Sequence, residues 1–137
     1  MKIPKVFRVL AMGLVLLAAV SCQNRPIHQV DNHPIPLAAQ KLSMKEIEQA
    51  IIQAGSARRW RFERLGEGSL RAKQLDEKDH EAVVDITFTQ TAYSIRLSGS
   101  SRLKEKDGTI HPKYNLWARN LEKDIEDRLY TAGLARQ

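Results

Sequence analysis

EAVVDITFTQTAYSIRLS, residues 81–98, decides the fold. Ala82, Val84, Ile86 and Phe88 share one parity; Glu81, Val83, Asp85 and Thr87 share the other. In the second half Tyr93, Ile95 and Leu97 alternate with Ala92, Ser94, Arg96 and Ser98. A period of two with one apolar parity marks antiparallel strands buried on one face. Folding the stretch about Gln90-Thr91 sets Ile86 against Ile95, Val84 against Leu97 and Asp85 against Arg96. A slip of one residue would turn every side chain to the wrong face, so these three pairings fix the register. Gln-Thr is not a favoured two-residue turn, so the register rests on the pairs and not on the turn.

Two further strands precede this hairpin. Trp60 and Phe62 alternate with Arg59, Arg61 and Glu63. Leu70 and Ala72 alternate with Arg71 and Lys73. Gly66 and Gly68 mark the turn between them, and Asp76–His80 the turn that follows. Upstream, Ser43 with Glu46 three residues later forms a capping box. Met44, Ile47, Ile51 and Ala54 then share a helical face, and Gly55 reads as the stop. Downstream, Ser98–Ser101 reads as a polar turn. A last helix is expected from Tyr114 or Asn115, with Trp117, Leu121, Ile125 and Leu129 as its apolar stripe and Gly133 as its end. The expected fold class is α+β: a helix, a four-stranded antiparallel meander and a C-terminal helix, with both helices on one sheet face.

The other sheet face would then be open and charged. Arg61, Arg71, Lys73 and Arg96 on it are the candidate partner-binding face. The competing reading is a solvated face whose opposite charges pair across strands. A second candidate is the recognition cluster His111, Tyr114, Asn115 and Trp117 in IHPKYNLW, residues 110–117. Pro112 biases His111 away from helix, so the segment should be ordered. Tyr and Trp with polar tips suit a hydrogen-bonded core plug equally well.

Catalytic motifs are not found in the sequence: it has no GxSxG elbow, phosphate loop or HExxH. Glu81 and Asp85 would lie about 13 Å apart along a strand, beyond the 5–9.5 Å or so used in glycoside cleavage. The serines at 98, 100 and 101 lack a nearby base. No catalytic residue, metal or cofactor is expected.

The N-terminal part has a different character. MKIPKVFR carries Lys2, Lys5 and Arg8, and Val9–Val20 is a run of apolar and small residues. That is the layout of an export signal, too short for a spanning helix of about 20 residues. The junction Ala19-Val20-Ser21-Cys22 resembles the bacterial lipobox. The resemblance implies cleavage before Cys22, the only cysteine, and acylation of its thiol and new amine. Gln23 in place of Asp after the cysteine implies the outer membrane, periplasmic side. The formal charge of +6 falls to about +3 once the three signal cations are removed. With export and no recognition motif, this gives no ground for nucleic-acid binding.

Gln23–Lys41, with three prolines, reads as a tether that could reach roughly 60 Å extended. His28, Asp31 and His33 in it could ligate a metal, but a solvated tether is the simpler reading. The expected organisation is a signal peptide at 1–21, a lipidated cysteine and Pro-containing tether at 22–41, and a single α+β domain at 42–137.

The series KEIEQAIIQAG, RRW, GSLRAK, HEAVVDITF, YSIRLSGSSRL and IHPKYNLWARNL resembles a group of small, uncharacterised proteobacterial lipoproteins with YSI and IH..YN.W segments. The resemblance implies an envelope location and a compact α+β domain, and brings no catalytic role to any residue. The expected function is a membrane-anchored periplasmic lipoprotein, a non-enzymatic binding or accessory module whose partner is an envelope protein. The alternatives are a binder of an anionic cell-wall glycan or polymer, and a small enzyme with a site near His111 and Tyr114.

Overall fold

The computed structural model describes residues 23–137; the expected signal peptide at 1–21 and the expected lipidation at Cys22 lie outside the described residues. Seven strands and two helices follow in order: β1 (Arg25–Pro26), β2 (Val30–Pro34), α1 (Met44–Ser56), β3 (Arg61–Gly66), β4 (Ser69–Leu75), β5 (Glu81–Phe88), β6 (Ala92–Ser101), β7 (Thr109–Ile110) and α2 (Pro112–Ala135). A short 3₁₀ turn at Leu37–Ala39 joins β2 to α1.

The β5–β6 hairpin has the expected register: Ile86 faces Ile95, Val84 faces Leu97 and Asp85 faces Arg96. Its loop is the two residues Gln90-Thr91, since the Thr89 N–H donates to the Ala92 carbonyl at 2.9 Å. The turn closes without the usual glycine. The Thr89 hydroxyl accepts from the backbone N–H groups of Thr91 and Ala92, each at 3.2 Å, a side-chain turn that threonine supplies.

The chain is α+β, but the sheet has five strands, not four, in the antiparallel order β2-β6-β5-β4-β3. A two-stranded sheet, β1 with β7, sits beside it. The fifth strand comes from the segment expected to be a tether. Val30 pairs with Ile95, His33 with Tyr93 and Pro34 with Ala92. Val30, Ile35 and Ala39 are buried in the same cluster as the sheet and both helices. The tether at 22–41 is therefore corrected: from Arg25 onward the chain is part of the domain. Prolines hid the strand, yet an edge strand tolerates them where no ladder N–H is needed. β6 is consequently interior, and the edges are β2 and β3.

Both glycines expected to stop helices lie inside them. A Cβ on Gly55 would sit 2.4 Å from the Phe62 ring, and one on Gly133 would sit 2.4 Å from the Ala38 carbonyl oxygen. They are points of close approach. The chain leaves α1 instead through Arg59, at φ 70°, while the Trp60 N–H donates to the Gly55 carbonyl at 3.1 Å. α1 starts as expected, with both bonds of the Ser43–Glu46 capping box present.

Two other boundaries differ. α2 begins with Pro112 in its first turn and His111 as N-cap, since proline is well placed where no N–H partner exists. Ser98–Ser101 is strand, not turn: a bulge shifts the register between Val83 and Val84, and the ladder resumes with Val83–Gly99 and Glu81–Ser101. The core joins Ile47 and Ile51 of α1, Leu121, Ile125 and Leu129 of α2, and Leu70, Ala72, Val84, Ile86 and Ile95 of one sheet face. Among the described residues, no helix is long and apolar enough to cross a membrane.

Candidate functional site

The open sheet face is organised in rows across the strands. One row holds Glu63 (β3), Arg71 (β4), Asp85 (β5) and Arg96 (β6), each registered with the next. Asp31 on β2 extends it: Arg96 donates to its carboxylate at 2.8 Å. Arg71 donates twice to Asp85, at 2.9 and 3.3 Å. The signs alternate from one edge of the sheet to the other. The Asp85 hydrogen bonds and charge, with help from Glu63, push the Arg71 pKa up. Two of the candidate binding residues, Arg71 and Arg96, are thus engaged within the sheet.

The next row differs. Arg61 faces Lys73, and Lys73 faces Val83. Arg61 and Lys73 are both exposed, and among the described residues neither forms an ion pair. Like charges directly opposite on neighbouring strands are unfavourable. Arg59, also exposed, precedes them in the chain. The structure keeps Arg61 and Lys73 together as an accessible pair and separates them in role from Arg71 and Arg96.

The second candidate cluster is divided in the same way. Tyr114 is fully buried in the core, and burial, with a contribution from Glu105, pushes its phenol pKa well up. Asn115 is a clamp: its side-chain amide donates to the Pro26 carbonyl at 2.9 Å and its Oδ1 accepts from the His28 N–H at 2.9 Å. Trp117 packs on the edge of the core, with Lys113 Nζ 5.7 Å from its ring centroid, within cation–π range. His111 is the N-cap of α2, its Nδ1 accepting from the Lys113 N–H at 3.0 Å. The four residues face different neighbours and converge on no common point.

His111 instead belongs to a polar hub that its own segment does not reveal. Its ring stacks on His80, with centroids 5.8 Å apart. His80 pairs through Nδ1 with Asp76 at 2.8 Å, and Lys113 donates to the same Asp76 oxygen. Asp76 also accepts from the backbone N–H groups of Lys78 and His80, both at 2.9 Å, which is what shapes the β4–β5 turn. Burial alone would raise the Asp76 pKa; the Lys113, His80 and backbone hydrogen bonds outweigh it and hold the carboxyl well below the usual range. Burial, then the charges of His80, Lys104 and Lys113, lower the His111 pKa. The hub ties the β4–β5 turn to the start of α2.

Two further histidines join the N-terminal segment to α2. His28 Nε2 meets Glu122 at 2.7 Å and His33 Nε2 meets Glu126 at 3.1 Å. Both histidines and Asp31 thus belong to the folded domain and not to a solvated tether. The overlooked signal was Val30 and Ile35, apolar residues that flank them and both go to the core. Among the described residues, no group of three or more His, Cys, Asp or Glu side chains is arranged to hold a metal. No family model, curated protein or solved structure matches the chain.

Proposed function

We propose that the chain is a lipid-anchored periplasmic lipoprotein of the bacterial envelope, held by acyl chains on Cys22 on the periplasmic side of the outer membrane. Its domain is a non-enzymatic binding module that docks an acidic surface of an envelope protein. The observation that carries the binding reading is the facing pair Arg61 and Lys73. Arg71 and Arg96 are paired with Asp85 and Asp31, whereas Arg61 and Lys73 are left opposed and exposed. An acidic partner would relieve their repulsion.

An anionic cell-wall polymer offers the same sign of charge along a chain. It is distinguished by salt-sensitive retention on purified polymer without a discrete protein adduct.

The anchor and the docking are tested separately. Mass spectrometry of the mature chain should find a diacylglyceryl and an amide-linked acyl group on Cys22, and Cys22→Ala should leave an unprocessed precursor. An acylated Cys22→Ala chain would overturn the anchor. For docking, in-cell chemical crosslinking of the native chain should give one discrete adduct that Arg61→Glu/Lys73→Glu abolishes. An adduct that survives the double reversal would remove this face from the reading.

A further inference from the structure

The chain enters the domain at a fixed point. The Asn24 side-chain amide donates to the Lys104 carbonyl at 2.6 Å. Arg25 pairs with Ile110 and Pro26 with Thr109. The Ile27 N–H donates to the Gly108 carbonyl at 3.0 Å, and Asn115 clamps Pro26 and His28. Every residue from Asn24 to His28 is bonded to the segment 104–115.

Cys22 lies two residues before Asn24 in the sequence. At no more than about 3.6 Å per residue, its backbone starts within about 8 Å of that of Asn24. A leash this short keeps the loop 102–108 next to any bilayer that takes acyl chains from Cys22.

The loop is built to display charge. Leu103 is fully buried and pins it to the core. Arg102 and Lys104 flank Leu103 at φ 61° and 54°, and Asp107 and Gly108 follow at 51° and 76°. Non-glycine residues rarely adopt this left-handed backbone, and here it turns Arg102 and Lys104 outward on either side of the plug. Arg102, Lys104, Lys106 and the neighbouring Arg25 are all exposed. Of the two acids in the loop, Glu105 accepts from the Ser100 hydroxyl at 2.7 Å; Asp107 is exposed.

We propose that Arg25, Arg102, Lys104 and Lys106 form a membrane-docking surface for anionic phospholipid headgroups, which orients the domain on the bilayer. The inference rests on the lipid anchor at Cys22 proposed above. Attraction of Lys and Arg to an anionic leaflet decays over a Debye length, about 8 Å at physiological salt. The leash and the screening length match, so the anchor holds these four cations within range. α2 starts at this end, and its 24 residues carry the chain about 36 Å along its axis. The exposed Tyr130 and Leu134 lie in its last turns, at the other end of the helix from the loop.

The test uses the full acylated chain, reconstituted into phosphatidylethanolamine vesicles with or without phosphatidylglycerol. One fluorophore is placed at Ser101→Cys beside the loop and another, in a separate sample, at Thr131→Cys on the far end of α2. A headgroup-attached quencher should quench the loop label several-fold more than the far label when phosphatidylglycerol is present. Omitting phosphatidylglycerol, or introducing Arg102→Asn/Lys104→Asn/Lys106→Gln, should lower that ratio severalfold, toward the smaller value that the anchor alone sets. Asparagine is chosen because it tolerates left-handed backbone; should the triple variant fail to fold, the lipid omission carries the test alone. An acylated chain with equal quenching at both labels, or a ratio indifferent to phosphatidylglycerol, overturns this inference and leaves the anchor standing. A chain without acyl groups on Cys22 overturns the anchor and this inference together.

Discussion

Two neighbouring rows on one sheet face treat charge in opposite ways. Glu63, Arg71, Asp85, Arg96 and Asp31 alternate in sign across all five strands. One row away, Arg61 and Lys73 face each other with the same sign. The first row holds strands in register, since a slip of one residue would part its opposite charges and turn them to the core face. The second does nothing for the sheet and acts against it slightly. A group that costs stability without helping the fold is a better guide to function than one that supports it.

That contrast can be broken most severely at the strap carrying Asp31. Asn115→Ala removes two hydrogen bonds that hold Pro26 and His28, leaving part-buried backbone groups unpartnered. Stability should fall by about 1–3 kcal/mol, and hydrogen exchange should rise across residues 24–34 before the rest of the sheet. Unchanged protection in β2 would show that Val30 and Ile35 hold the strap without the clamp.

Asp85→Lys tests the balanced row directly. It places a third cation between Arg71 and Arg96, and its loss in urea midpoint should be at least twice the change seen on altering position 73. A midpoint within error of the wild type would mean the row is decorative.

Acid reads the polar hub at the end of the same sheet. The folded Asp76 pKa lies below its unfolded value of about 3.9. Its contribution is therefore present above that value and is lost as pH falls through the folded pKa. Asp76→Asn should be less stable at pH 7 and should flatten the acid limb of the stability profile below about pH 4. An acid limb identical to that of the wild type would assign it to other carboxylates.

The unbalanced row gives the opposite sign. Lys73→Glu converts a like pair into an opposite pair and should stabilise the domain by roughly 0.2–1 kcal/mol, while weakening partner binding. Destabilisation at this position would show that the lysine has a structural partner. Smallest of all, a double-mutant cycle on Arg96 and Asp31, with side chains 64% and 58% exposed, should return a coupling below about 1 kcal/mol.

The hairpin was legible because its two apolar parities agree with each other and with one charge pair. The strap was not. Its single buried strand residue, Val30, sits between prolines, and Asn32 takes φ 47° to bulge the strand, which breaks the period of two. Gly55 and Gly133 misled for a related reason: sequence shows a missing side chain but not whether backbone freedom or space is needed. The charged face was legible as a set of cations. Which of them are neutralised depended on Asp31, and so on a strand that alternation does not disclose. The cluster at His111–Trp117 dissolved because His111 caps the helix from outside it, Asn115 stands one and two residues from Tyr114 and Trp117 and so shares a face with neither, and Asp76, which gathers His80 and Lys113, lies far off in sequence.

The most direct test of the central claim compares the two rows in living cells. A photoreactive residue replaces Lys73 in one strain and Asp85 in another, with Asp127 on the exposed side of α2 as control. A discrete protein adduct is expected from position 73, weak or none from 85, and none from 127. Equal adducts from 73 and 85, or an adduct only from 127, would contradict the claim that the unbalanced pair marks the binding surface.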